Sequence, residues 1–312
     1  MRRPVVRLRD FIEDADGWLY AVSTYDNDDR IGCVLRYVPD EQGERVNAEG
    51  RRYTKYDFEE AYALISRRKP QYAGLLHHVP YGDVKRVLKP DHEIGRIAAT
   101  HPGVQKLVSL FSLPAGTVGC TGSLLCGLGN ESSDIDLVVY GKHWFDAQAR
   151  VREGIRSGTI KKLSGPMWRK VYEKRRPEIS YEEFVLHEQR KWNRGQIGGT
   201  YFDILYTRSY DEISSAPAGG REAVIGKMTI EAEVTDASLA FDNPAVYEVE
   251  HESVSRVLSF THTYSGQALA GETIEARGIC ERHGAELWLV VGTTREARGE
   301  YIVSKTLLEE QS

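Results

Sequence analysis

The chain has 312 residues, 41% of them apolar and 28% charged, with a net charge of −5. That balance is ordinary for a soluble globular protein, and at about 100–200 residues per domain the length implies two or three domains. No apolar run approaches the roughly 20 residues that a membrane span needs.

The charge is uneven along the chain. Residues 1–98 carry 17 Lys/Arg against 17 Asp/Glu, residues 99–227 carry 18 against 14, and residues 228–312 carry 6 against 15. The middle third is thus the only net-basic one, which suits a site for polyanions. Met1-Arg-Arg-Pro-Val-Val-Arg7 has no apolar stretch long enough for a signal peptide. Cys33, Cys120, Cys126 and Cys280 form no metal-type pair and read as small reduced packing residues, so a cytoplasmic protein is expected.

Residues 1–95 read as a small α+β module. Arg9–Glu13, Trp18–Ser23 and Ile31–Val38 have strand character, separated by turn clusters at 14–17 and 26–29. Tyr56–Ile65 supplies an amphipathic helix to cover one face of that meander. Arg36, Arg51, Arg52, Arg67 and Arg68 suit either an acceptor's phosphates or a solvated face. His77 and His78 have no third ligand nearby and are expected in a loop. A catalytic domain is expected over residues 96–227. A helical pattern from His92 through Ile94, Ile97, Val104, Leu107 and Leu110 leads into its signature.

The stretch Val118–Gly141 carries the chemistry. A β-rich entry leads to a turn at Gly122 and Ser123. After ten residues, Asp134-Ile-Asp136 opens the apolar strand 135–140. A Gly-Ser turn opening a short helix offers backbone N–H groups and a hydroxyl to phosphate oxygens. Carboxylates at i and i+2 of a strand share one face and repel unless a cation lies between them. Mg²⁺ prefers a few carboxylates together with substrate phosphates. The stretch therefore reads as a site for metal and nucleoside triphosphate.

This hydrophobic-Gly-Ser pattern, its ten-residue spacing and the Asp-x-Asp strand resemble the signature of the polymerase-β-type nucleotidyltransferase superfamily. The resemblance implies that Gly122 and Ser123 hold the triphosphate and that Asp134 and Asp136 bind two Mg²⁺ ions. It implies a core of mixed sheet and helices and a third carboxylate on a later strand. Asp203, the lone charge in the aromatic, β-branched run Thr200–Tyr206, is the candidate. Many members carry a basic residue just after the Ser. Leu124, Leu125 and Cys126 stand there, so a cation has to come from elsewhere.

Trp144–Glu153 reads as a helix packed on the sheet. Residues 152–194 hold twelve Lys/Arg against six Asp/Glu, interleaved with Trp168, Tyr172, Tyr181 and Trp192. Basic residues with aromatics suit a nucleic-acid backbone and unstacked bases, or a nucleotide's triphosphate and base. Ser180-Tyr-Glu-Glu183 is a capping box, predicting a helix from Tyr181 to about Asn193. Lys191 and Arg194 at its end are the candidate triphosphate cations. The opposing reading is a basic surface paired with Glu182, Glu183 and Glu188.

Residues 214–220 read as a linker, and the acidic remainder, 228–312, as a small OB-like barrel built from six short β-rich runs. Its charge disfavours phosphate contact, leaving docking on the basic middle domain or a protein partner. The three-part layout resembles archaeal predicted nucleotidyltransferases with flanking N- and C-terminal modules. The expected function is transfer of a nucleoside monophosphate from an NTP to an acceptor hydroxyl, an RNA 3′ end first among acceptors. The alternatives are an inactive RNA-binding module of the same fold and a protein adenylyltransferase.

Overall fold

The computed structural model describes residues 4–130, 133–213, 222–294 and 297–311. The expected linker, 214–220, lies outside the described residues. Contacts divide the chain into two units rather than three: Met1–Lys161 with Arg194–Ala216, and Lys162–Asn193 with Pro217–Ser312. No helix among the described residues is long and apolar enough to cross a membrane.

The first unit opens with seven strands: β1 (Phe11–Asp14), β2 (Leu19–Val22), β3 (Arg30–Pro39), β4 (Arg45–Val46), β5 (Arg52–Lys55), β6 (His77–Pro80) and β7 (Val84–Leu88). They form one sheet in the order β4-β5-β3-β2-β1-β7, with β6 also paired to β3. Helix α1 (Phe58–Arg68) starts at the N-cap Asp57 with a full capping box to Glu60. It lays Ala61, Leu64 and Ile65 on one face of the sheet, against Ile12, Tyr20, Ile31 and Leu35. His77 and His78 therefore belong to a strand, not a loop. Burying His77 is tolerable because its Nδ1 accepts the Leu35 N–H at 3.0 Å.

Helices α2 (Pro90–Thr100) and α3 (Pro102–Phe111) follow. The helical pattern breaks between them because Pro102 has no N–H to continue the ladder. Then come β8 (Val118–Cys120), the short α4 (Gly122–Leu125), β9 (Ile135–Tyr140), α5 (His143–Arg156), β10 (Arg194–Ile197) and β11 (Thr200–Thr207). The sheet order is β10-β11-β9-β8. Strand β11 runs parallel to β9, whereas β8 and β10 are antiparallel to their neighbours. The β10–β11 hairpin turns at Gly198 and Gly199, both at positive φ.

The second face of the seven-stranded sheet is not solvated. Phe11, Leu19, Tyr37, Tyr53 and Leu88 share a core with Leu125 and Leu128, which follow the Gly-Ser turn. Each such buried aliphatic chain stabilises by roughly 1.5–3 kcal/mol. That shared core places the N-terminal module and the signature in one unit.

The second unit contains α6 (Gly165–Arg175), α7 (Tyr181–Arg190), β12 (Ala223–Asp236), β13 (Ala245–Glu250), β14 (Val254–Ser259), β15 (Thr273–His283), β16 (Glu286–Val291), β17 (Tyr301–Ser304) and α8 (Lys305–Glu309). Helix α7 begins at the expected capping box but ends at Arg190, before Trp192 turns to positive φ. Strand β12 pairs with β13, β13 with β14, β14 with β16, β16 with β15, and β15 with β12 again. All are antiparallel except β14 and β16.

The basic segment packs on these strands. The Ser304 N–H donates to His187 Nε2 at 3.0 Å, and the Glu178 N–H donates to the Tyr264 hydroxyl at 3.2 Å. Arg190 pairs with Glu272 and donates to the Gln267 carbonyl. Residues 162–193, expected within the catalytic domain, therefore belong with the C-terminal strands. Their inward cations find carboxylate and carbonyl partners there.

Candidate functional site

Four residues align across the core sheet of the first unit. Arg194 on β10 is the register partner of Asp203 on β11, and Asp203 is the register partner of Asp136 on β9. The Asp136 carbonyl accepts the Thr121 N–H at 2.9 Å, which brings the Gly-Ser turn to the same edge of the row. Partners in register project to the same face of a sheet, so both aspartates share one surface. Asp134, two residues ahead of Asp136, is exposed just before β9 begins.

The turn itself is fixed from two sides. The Thr121 hydroxyl donates to the Arg9 carbonyl at 2.7 Å, and the Leu128 N–H donates to the Ser123 carbonyl at 2.9 Å. Gly122 has φ +68°, and a Cβ there would lie 2.6 Å from Asp136 Oδ2. Only glycine satisfies both the left-handed backbone and the approach of the carboxylate. The spacing read from the sequence thus closes into a real apposition of the turn and the second Asp of the pair.

Asp203 is held by two neighbours. Arg194 Nε lies 3.2 Å from its Oδ1, and the Tyr201 hydroxyl donates to Oδ2 at 2.8 Å. Oδ1 is buried and accepts no hydrogen bond, so the ion contact alone compensates it. The Arg194 guanidinium offsets the negative charge that the register sets beside Asp136. Asp136 and Asp203 share a face, Asp134 lies two residues ahead of Asp136, and carboxylates are donors of the kind that Mg²⁺ takes. As the side chains stand, no three or more His, Cys, Asp or Glu groups among the described residues converge to hold a metal ion.

Of the two expected cations, Lys191 is engaged within the second unit. Lys191 is buried, with its ammonium on the Glu188 carboxylate and the Thr263 carbonyl of the second unit. Both partners belong to the same unit as Lys191. Buried cations require such local partners, and Glu188 and Thr263 supply them. Arg194 lies in the site, but as the counter-ion of Asp203. Arg51 and Arg52 contact the backbone of their own module through Asp16 and Gly43.

Residues of the N-terminal sheet that sequence reading passed over also reach the site. Arg45 on β4 donates to the Ser133 hydroxyl at 3.2 Å and the Leu128 carbonyl at 3.4 Å. Burial pushes the Tyr37 hydroxyl well above its ordinary range; Cys126 and the Asp136 charge add to that shift, while Arg36 and Arg45 oppose it. No motif marks Arg45, which lies in a turn-rich stretch far upstream of the signature. Burial likewise raises the Cys120 and Cys126 thiols, with the neighbouring charges secondary, in keeping with packing roles.

A family model described as "Nucleotidyltransferase domain" matches residues 104–197, from α3 through β10, including the Gly-Ser turn and Asp134-Ile-Asp136. Along almost the full chain the protein is also similar to "Uncharacterized protein MJ1086" of Methanocaldococcus jannaschii. That relative is 37% identical over 339 aligned positions, covering 96% of this chain and 99% of its own. No solved structure matches the chain significantly. With the signature folded as its spacing implies and the likeness running nearly end to end, the chain belongs to the polymerase-β-type nucleotidyltransferase superfamily, in one family with this archaeal relative.

Proposed function

We propose that the protein transfers a nucleoside monophosphate from an NTP to the 3′ hydroxyl of an RNA, with Mg²⁺ held by Asp134, Asp136 and Asp203. The observation that carries this reading is the row Asp203–Asp136 with Gly122 closed against Asp136 Oδ2. Bound there, two Mg²⁺ ions would supply charge neutralisation and a lowered pKa for the attacking hydroxyl.

The protein's own groups position and neutralise. The Gly122 and Ser123 backbone and the Ser123 hydroxyl hold the β- and γ-phosphates. The acceptor oxygen attacks the α-phosphorus in line, forming the new P–O bond as the bond to the β-phosphate oxygen breaks. Asp203 accepts the hydroxyl proton and pyrophosphate leaves. For that role Asp203 must exchange Arg194 for the acceptor, which makes Arg194 the group that neutralises it between turnovers.

An RNA acceptor is supported by exposed cations on and beside α6. Lys162, Arg169, Lys170, Lys174 and Arg176 are exposed, and the Arg169 guanidinium stacks 3.6 Å over the Tyr181 ring. The inward cations Arg175, Arg190 and Lys191 are instead paired with Glu188 and Glu272. We read the ring of pairings from β12 through β16 and β15 as an OB-like barrel that scaffolds this basic hairpin. The separate free cysteines accord with a reducing compartment, and we place the protein in the cytoplasm.

The engagement of Asp203 by Arg194 and Tyr201 favours one competing reading, an RNA-binding protein of this fold without catalysis. Incubating the chain with labelled NTPs, Mg²⁺ and total RNA, and separately with total protein, decides between them. Label in RNA that disappears in Asp136→Asn supports transfer. Label in protein identifies a protein adenylyltransferase. RNA binding without label in either identifies the inactive reading.

A further inference from the structure

The Gly-Ser turn is followed by Leu124, Leu125 and Cys126, so no cation of its own segment attends it. From the opposite side of the shared core, Arg45 reaches the residues that follow the turn. Arg45 is the register partner of Tyr53 on β5, and Tyr53 packs with Leu125 and Leu128. The Arg45 side chain is only 13% exposed and its Nε faces the Glu44 carboxylate at 3.7 Å. Its Nη1 donates to the Leu128 carbonyl at 3.4 Å and to the Ser133 hydroxyl at 3.2 Å. The first acceptor lies three residues after the end of α4, and the second immediately precedes Asp134. Ser133, the residue immediately before Asp134, is in turn tied to Asn130: its Oγ accepts the Asn130 N–H at 2.9 Å.

We propose that Arg45 is a positioning residue for nucleotide–metal binding, tying Ser133 to Leu128 so that the neighbouring Asp134 is presented beside Asp136. The clamp rests on the nucleotidyl-transfer reading of the same site. It gives the N-terminal sheet a part in that site: the module supplies the wall behind α4 and the guanidinium that ties Ser133 to Leu128. A partner of a metal ligand's neighbour acts on affinity through geometry, since a carboxylate held in place loses less freedom on binding a cation. A surface arginine of the same module, such as Arg67 or Arg68 at the end of α1, has no such connection.

Mn²⁺ binding to the full chain in the presence of a non-hydrolysable NTP analogue, followed by electron paramagnetic resonance, reads this directly. Arg45→Ala is expected to weaken Mn²⁺ binding by about 10–100-fold, the range found when supporting partners of metal ligands are removed. Ser133→Ala removes the same bond from the other side and tests the clamp if Arg45→Ala folds poorly. In the double variant the loss should fall short of the sum of the two single ones, because the Arg45–Ser133 bond is common to both while Arg45 also holds the Leu128 carbonyl and Ser133 also holds Asn130. In the transfer assay, half-saturating Mg²⁺ should rise while the KM for RNA stays put. Wild-type Mn²⁺ affinity in Arg45→Ala, or full additivity in the pair, overturns the clamp. A wild-type chain that binds Mn²⁺–nucleotide yet labels no acceptor removes the transfer reading while leaving the clamp standing. A wild-type chain that does not bind it overturns both.

Discussion

Gly122 and Asp136 are so closely apposed that a Cβ on the glycine would lie 2.6 Å from Asp136 Oδ2. The contact joins the two halves of the signature, the turn and the acidic strand, into one surface. Replacing Gly122 with Ala should therefore do two things. The left-handed backbone at φ +68° costs about 1–2 kcal/mol for an L-residue, and the methyl displaces the carboxylate. Thermal unfolding should show a modest loss, whereas nucleotide–Mg²⁺ affinity should fall further than stability alone explains. An alanine variant with wild-type nucleotide affinity would count against the apposition mattering.

Asp136→Asn keeps shape and hydrogen-bonding capacity but removes the charge in the middle of the row. Transfer to RNA should drop by at least about 10³-fold, comparable to losing a principal electrostatic group in other active sites. The circular dichroism spectrum and melting temperature should stay near wild type or rise, since a like charge beside Asp203 is gone. Undiminished transfer in this variant rejects the assignment of the carboxylate pair.

Arg194→Met leaves Asp203 without its counter-ion. Truncating one partner of a largely buried pair costs on the order of 3 kcal/mol, because the remaining charge is uncompensated. Urea unfolding should show the loss, and millimolar Mg²⁺ should restore part of it by binding the folded state. If Mg²⁺ leaves the unfolding midpoint of the variant unchanged, Asp203 is not a metal ligand.

Lys191→Met makes a contrasting case. Its ammonium sits between the Glu188 carboxylate and the Thr263 carbonyl, so its loss should destabilise the second unit by a similar amount. Adding Glu188→Gln should recover some stability by removing the stranded charge, although Arg175 also contacts Glu188 at 3.3 Å. Fluorescent-NTP binding should be unaffected in both variants. A large loss of NTP affinity would return Lys191 to the triphosphate.

His187 makes stability fall with acid. Its Nδ1–H donates to the Glu183 carbonyl at 2.7 Å and its Nε2 accepts the Ser304 N–H at 3.0 Å, an arrangement open only to the neutral ring. Burial, foremost, lowers its pKa from 6.5 to about 4. The unfolded chain therefore takes up a proton that the folded chain refuses between these values. The stability it contributes is whole above pH 6.5, is lost as pH falls toward 4, and changes little below that. The loss amounts to roughly 3 kcal/mol at about 1.4 kcal/mol per pKa unit. His77 shifts in the same direction, also to about 4 and chiefly through burial. Urea unfolding at pH 7.5, 5.5 and 4.5 should show a shallower acid slope for His187→Gln. An identical slope would remove His187 as the cause.

Local chemistry was legible wherever one short segment contained all the participants. Apolar, β-branched or aromatic runs bounded by turn residues marked β1 to β3, β9 and β11. The Ser180 capping box fixed the start of α7, and the Gly-Ser and Asp-x-Asp spacing located the turn and the acidic strand. The family resemblance called for a third carboxylate on a later strand, the lone charge in an apolar run singled out Asp203, and the sheet puts it in register with Asp136. The break between α2 and α3 also had a local cause in Pro102, which the apolar periodicity running through it had masked.

Partner choice was decided only in three dimensions. A lysine and an arginine three residues apart looked equivalent in the sequence. Folding gave one to Glu188 and the other to Asp203, because a buried cation takes whichever carboxylate the chain brings within reach. Arg45 carried no local signal. Its place at the loop before Asp134 follows from a sheet whose second face is sealed by Leu125 and Leu128, a burial that no pattern within either segment encodes. Sequence alone determined which groups could do the chemistry. The tertiary structure decided which of them are neutralised and by whom, because charge pairing depends on distance through space and not on separation along the chain.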